Sequence, residues 1–138
     1  YLDDDMVFAP DVLVSMVGHA RAGKDIVLTN YLVKEWPPKT FVAMGMDGDR
    51  CNTTEAKSGL EEVLGSGFGV SIINTDVFKK VPQPWFMPTW TKEQGYSTED
   101  LPFFRRARQA GYRAWLDHDA SKKIAHNGMK QWHWREAV

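Results

Sequence analysis

The apolar positions of this chain change rhythm along its length, and each change predicts an element. Tyr1 and Leu2 run into Asp3, Asp4 and Asp5, and Met6 and Val7 follow, so a strand ends at an acidic triplet. Pro10 and Asp11 open a helical pattern over 10–21 with Leu13, Val17 and Ala20 on one side, and Gly23 stops it. "DIVLTNYLV" is continuously apolar and rich in branched residues, which predicts a buried strand; "TFVAM" predicts another after the Pro37–Pro38 break. The stretch 45–59 turns polar and predicts a loop. "GSGFGVSIIN" places three glycines before a short apolar strand, and Thr75 is expected to cap a helix ending at Lys80. Pro82, Pro84 and Pro88 punctuate the next connection.

The clearest segment is "YSTEDLPFFRRARQAGYRAWLDHD". Ser97, Thr98 or Asp100 caps a helix, Pro102 fits only its first turn, and Leu101, Phe104 and Ala107 form the inward stripe. Arg105, Arg106 and Arg108 lie mainly outside that stripe, Gly111 ends the helix, and 112–116 predicts a strand. Alternating helices and strands predict an α/β fold in a single domain, 1–138.

Composition narrows the function. The net charge of −1 argues against a nucleic-acid binder driven by bulk electrostatics. No apolar run reaches the length of a transmembrane segment, and no signal-peptide pattern occurs. The single cysteine, Cys51, excludes an intrachain disulfide and fits a reducing compartment, so the expected location is cytoplasmic, with peripheral membrane attachment as the alternative. Six tryptophans are many for this length and suit either a core or a sugar-binding cleft. The chain begins at Tyr1 inside what reads as the end of a strand, which suggests a piece of a longer protein.

The chemistry concentrates in three places. Adjacent carboxylates repel, and a hard divalent cation such as magnesium or manganese relieves them, so the D-x-D of Asp3 and Asp5 is a candidate diphosphate-metal site; a solvated acidic turn is the competing reading. Glu99 and Asp100 stand where a general base or a helix cap would stand. His126, in "KIAHNG", is a candidate metal donor, although a lone histidine is more often a plain surface or core residue. "GHARAGK" fails as a P-loop because it follows a helix and Asp25 fills the Ser/Thr position; "DGD" at 47–49 lacks the remaining calcium-loop ligands.

The order of "LDDDM", "GSGFGVSIINTDVFKKV", "STEDLPFFRRARQAGYRAWLD" and "IAHNG" resembles the C-terminal part of GT-A-fold nucleotide-sugar glycosyltransferases, especially family 2-like members, over nearly the whole chain. The resemblance implies a mixed-sheet, Rossmann-like fold lacking the N-terminal nucleotide-binding half. It implies a metal-dependent enzyme that moves a sugar from a nucleotide donor, a UDP-sugar first, to a glycan or other hydroxyl acceptor, with inversion. Asp3, Asp5 and His126 would face a manganese or magnesium ion, with Asp5 coordinating it directly. Asp3 and Asp4, with the backbone of Gly65, Ser66 and Gly67, would face the donor. Asp100 would be the base, Glu99 its support, and Trp85 and Trp90 the acceptor walls, with core packing as their competing role. The missing half would leave a sheet edge that invites self-association.

Two other classes stand beside it. "LDDDMV" also fits the nucleophile motif of haloacid-dehalogenase-like phosphatases, with Asp3 as nucleophile and Asp5 as acid/base, and "IVLTN" resembles their second motif. A non-catalytic glycan-binding or assembly fragment is the third.

Overall fold

The structure is a computed structural model that describes residues 1–35, 37–92, 95–128 and 131–136. Its centre is a five-stranded mixed sheet of order β3-β4-β8-β2-β5, comprising β2 (Ile26–Leu28), β3 (Met44–Gly45), β4 (Leu60–Gly65), β5 (Ser71–Ile73) and β8 (Ala114–Asp117). Only β2 and β8 run parallel, with Ile26 opposite Ala114 and Leu28 opposite Leu116; the other neighbours are antiparallel. The architecture is therefore α/β with a mixed sheet.

Side-chain alternation along β2 sorts the two sides of the core. Ile26 and Leu28 face a core built with Val77 of α2 (Thr75–Lys80) and Phe103, Phe104 and Ala107 of α3 (Asp100–Gln109). Val27 faces the opposite side, with Val12 and Met16 of α1 (Pro10–Arg21) and with Met6 and Ile124. Those last two belong to a three-stranded antiparallel sheet in which β9 (Ile124–Asn127) lies between β1 (Met6–Phe8) and β10 (Gln131–His133). A two-stranded ribbon, β6 (Thr89–Thr91) and β7 (Gly95–Ser97), precedes α3. A short α4 (His118–Ser121) joins β8 to β9. Among the described residues no helix is long and apolar enough to cross a membrane.

Several expectations change in register or extent. Helix α1 has the expected bounds, but its buried residues are Val12 and Met16, while Val17 is exposed. The pairing of β1 with β9, and the bond from the Ala9 amide to the Lys123 carbonyl, orient the helix start so that Val12 and Met16 point inward. Asn74, not Thr75, caps α2, accepting the Asp76 amide at 3.0 Å. Helix α3 has no side-chain cap; Glu99 is its boundary residue. Only three residues of "DIVLTNYLV" pair as a strand, yet Ile26 to Leu32 are all buried, as continuous apolarity requires. Of "TFVAM", Met44 enters a strand, β3, and Phe41 forms an isolated antiparallel bridge with Leu32.

The largest departure is β4, which pairs with both β3 and β8. Its sequence, "LEEVLG", carries two carboxylates where a half-buried strand is expected to alternate. Both are offset in space: Glu61 by Lys57 at 2.8 Å and Glu62 by Arg108 at 2.7 Å. Gly65 ends β4 beneath α3, where a Cβ would come within 2.5 Å of the Phe104 ring. Gly65→Ala should therefore lose about 1–3 kcal/mol in urea denaturation. Gly18→Ala, in open space on α1, should gain about 0.5–1 kcal/mol. Equal stabilities for the two variants would mean that Phe104 does not seat against Gly65.

Candidate functional site

The acidic triplet sits between two pairings. Residues 1–3 run beside 69–71: the Asp3 amide donates to the Gly69 carbonyl at 2.9 Å, and Tyr1 and Ser71 exchange bonds. Asp4 and Asp5 form the turn into β1. This extended segment brings Tyr1 and Asp3 to a cleft of about 300 Å³ lined also by Tyr31, Phe68, Phe86, Glu99 and Asp100. An adjoining cleft shares Tyr31 and Asp100 and adds Arg50, Ser66, Gly67 and Thr98. Asp3 thus shares one opening, with an aromatic wall, with Glu99 and Asp100 from the far end of the chain.

Burial, with mutual repulsion added to it, shifts these carboxyls. Burial, and then Glu99 and Asp3, push the Asp100 carboxyl up to about 6. Burial also raises Asp3, with Asp5, Asp4 and Glu99 adding to the rise and His126 opposing it. Asp5 moves the other way, chiefly because Lys34 donates to it at 2.5 Å, with His126 helping. Tyr31 is buried and its phenol is raised above its usual range, first by burial and further by Asp3, Asp100 and Asp5.

His126 lies in β9 opposite Met6. Its Nδ1 stands 2.9 Å from the Leu32 carbonyl, which can only accept, so Nδ1 carries the hydrogen. That tautomer leaves Nε2, 3.4 Å from Asp5, as the nitrogen that takes up a proton or a metal. Carboxylate oxygens with an imidazole fit the donor chemistry of manganese or magnesium. Asp5 and His126 adjoin and Asp3 feels both charges, but the three do not bring one ligand atom each within 4.8 Å of one another.

Other expected site residues have different neighbours. Gly65 makes room for Phe104, and the absent side chains of Gly67 and Gly69 make room for Tyr31, so these glycines serve aromatic rings of the chain itself. Ser66 is buried and donates to the Thr29 carbonyl at 2.9 Å, which takes its hydroxyl away from a donor. Trp85 donates its indole N–H to the Val81 carbonyl and packs on Phe78. Trp90 is 69% exposed on β6. Neither tryptophan lines the acidic cleft; Tyr1, Phe68 and Phe86 do, with ring centroids 5.1–5.3 Å apart. The second phosphatase motif is also committed elsewhere: Thr29 is buried and its hydroxyl donates to the Val70 carbonyl at 2.9 Å.

A second polar centre escaped the sequence reading. Among the described residues, one group brings three metal-type ligands within 4.8 Å of one another: Cys51, Glu61 and His118. Its sequence traces are the lone Cys51, the paired carboxylates of "LEEV" and the "DHD" after "WL", which no local spacing links to one another.

No family model and no curated protein match the chain. A solved structure similar to it is A197 from STIV, with 22% identity, a TM-score of 0.60 and 91% of this chain covered. The chain spans 55% of the length of that protein. At this identity the likeness concerns the fold, a mixed-sheet α/β architecture.

The Asp100 shift has a consequence for stability. Its folded-state pKa of about 6 lies above the ordinary carboxylate value, so it stabilises the fold at low pH, and that contribution is lost as pH rises through about 6. Asp100→Asn removes this titration. The variant's stability relative to the unsubstituted protein should climb between about pH 4 and pH 7, by on the order of 2 kcal/mol. Denaturant titrations across that range test it; a difference independent of pH would place Asp100 in ordinary solvent.

Proposed function

We propose that this chain carries the metal-side and acceptor-side part of a glycosyltransferase centre. It transfers a sugar from a nucleotide-sugar donor, a UDP-sugar first, to an acceptor hydroxyl with inversion. The observation that supports this most is Asp100 itself: a half-buried carboxyl, poised near pH 6 by burial, Glu99 and Asp3, at the mouth of an aromatic-walled cleft. A general base works best when its pKa approaches the working pH yet it remains mainly ionised. Sugar rings present C–H faces to aromatic rings and hydroxyls to carboxylates, and Tyr1, Phe68 and Phe86 stand beside Asp3, Glu99 and Asp100.

In the proposed step Asp100 takes the proton of the acceptor hydroxyl as its oxygen attacks the anomeric carbon. The bond from that carbon to the donor diphosphate breaks, and its electron pair leaves with the diphosphate. Glu99 keeps Asp100 basic by repulsion. A manganese or magnesium ion held by Asp5 and His126, with Asp3 beside them, would supply charge neutralisation for the departing diphosphate. Lys34, on Asp5, is the cation that such an ion would have to displace or accompany.

Thermal unfolding of the chain with UDP and manganese tests donor binding; at 100 times Kd the stabilisation is about 2.7 kcal/mol. Asp100→Asn should keep that response and lower transfer by about 10²–10⁴-fold. Undiminished transfer in the variant would remove Asp100 from the chemistry. Oligosaccharide binding without any response to UDP and manganese would instead identify a non-catalytic glycan-binding module.

A further inference from the structure

Cys51, Glu61 and His118 come from three separate parts of the central sheet and its flank. Glu61 is on β4, opposite Leu116 of β8, and His118 opens α4 directly after β8, with its amide donating to the Gly59 carbonyl at 3.0 Å. Cys51 is tied from its amide to the Ala43 carbonyl at 2.9 Å. The thiol sulfur lies 3.5 Å from Glu61 Oε1, and His118 Nε2 lies 2.8 Å from Glu61 Oε2. Ligand atoms on a tetrahedral zinc ion stand roughly 3.3–3.6 Å apart, given bonds of about 2.0–2.3 Å. The sulfur–carboxylate separation matches that spacing, and all three ligand atoms lie within 4.8 Å of one another.

The surroundings hold these groups in place. His118 is 1% exposed, and its Nδ1 meets the Thr53 hydroxyl at 2.9 Å. Thr53 in turn accepts from Asn30 Nδ2 at 3.2 Å, and the same amide nitrogen donates to the Cys51 carbonyl at 2.6 Å. One buried asparagine thus positions both the histidine arm and the cysteine arm. Metal-binding histidines are oriented in this way, through the nitrogen that does not ligate. Lys57 completes the picture: its ammonium lies 2.8 Å from Glu61 Oε2 and 3.8 Å from the sulfur. A positive charge already sits between thiol and carboxylate, on a flexible side chain 39% exposed to solvent.

We propose that Cys51, Glu61 and His118 form a three-ligand site for a zinc-class divalent cation, which Lys57 vacates and the fourth position of which opens toward solvent. Without metal, His118 donates Nε2–H to the Glu61 carboxylate and its Nδ1 accepts from the Thr53 hydroxyl. On binding, the thiol proton leaves to solvent, the Nε2 proton is given up as one is taken on at Nδ1, and the Thr53 hydroxyl turns to accept from Nδ1–H, which leaves the Nε2 lone pair for the ion. The thiolate selects zinc or cobalt over manganese or magnesium, which prefer oxygen. This site and the acidic cleft share no residue.

Cobalt(II) titration of the purified chain tests the proposal. One equivalent should produce a thiolate-to-cobalt charge-transfer band that zinc bleaches. Cys51→Ser should abolish the band while keeping the far-ultraviolet circular dichroism of the fold. Thr53→Ala should weaken cobalt binding about 10–100-fold. Lys57→Ala, on an exposed side chain that does not endanger folding, should tighten it about tenfold by removing a competing charge. A purely structural network would yield no band in the unsubstituted chain or in Lys57→Ala, and that result overturns the proposal. A band that survives Cys51→Ser overturns it equally.

Discussion

The site depends on a phenol wedged where two glycines leave space. Tyr31 occupies the volume that side chains at positions 67 and 69 would fill, and its hydroxyl accepts the Gly69 amide at 3.1 Å. Its carbonyl accepts from Val42, and its ring meets His126 edge-on with centroids 5.0 Å apart. The chain that follows β2, the glycine loop before β5 and the imidazole of β9 are thereby joined at one side chain. A bulkier residue at either glycine would expel the ring from the wall of the cleft that Asp3 and Asp100 share.

Protonation of that cleft is uneven. Asp3, Glu99 and Asp100 line it from two distant segments, with Asp5 beside Asp3 in sequence, and Asp5 is paired with Lys34 and His126. The remainder must hold protons, attract counter-ions or stay apart. Asp100, the more desolvated of the pair at the start of α3, is pushed up to about 6. The aromatic wall of Tyr1, Phe68 and Phe86 adds an apolar surface next to these oxygens, a combination suited to a polyhydroxylated ring.

The Cys51–Glu61–His118 cluster is arranged by the opposite logic. It lies against the main core, its ring nitrogens both engaged, its charge balanced by Lys57. Every partner is already in place through Asn30 and Thr53, so little ordering is left for a ligand to cause. The acidic cleft is open and unbalanced; this cluster is closed and compensated.

Residues acting through their neighbours in sequence were legible. The bounds of α1, the end of α2, the amphipathic α3 with Phe104 and Ala107 inward, and the α/β alternation follow from local periodicity, proline near helix starts and glycine after helix ends. Asp3 and Asp100, which the fold brings to one cleft, stand in segments that carboxylate crowding and a helix opening mark locally. Strand β4 was not legible, since Glu61 and Glu62 look solvated until Lys57, His118 and Arg108 approach from elsewhere. Nor was the aromatic wall: Trp85 and Trp90 stand out in the sequence, yet the packing of α2 and the exposure of β6 take them away from the cleft and leave Tyr1, Phe68 and Phe86 there. Periodicity is a property of adjacent residues and survives without a fold. Charge compensation, ring packing and the meeting of Cys51 with His118 are distances across the sheet, which exist only once β2, β4 and β8 have paired.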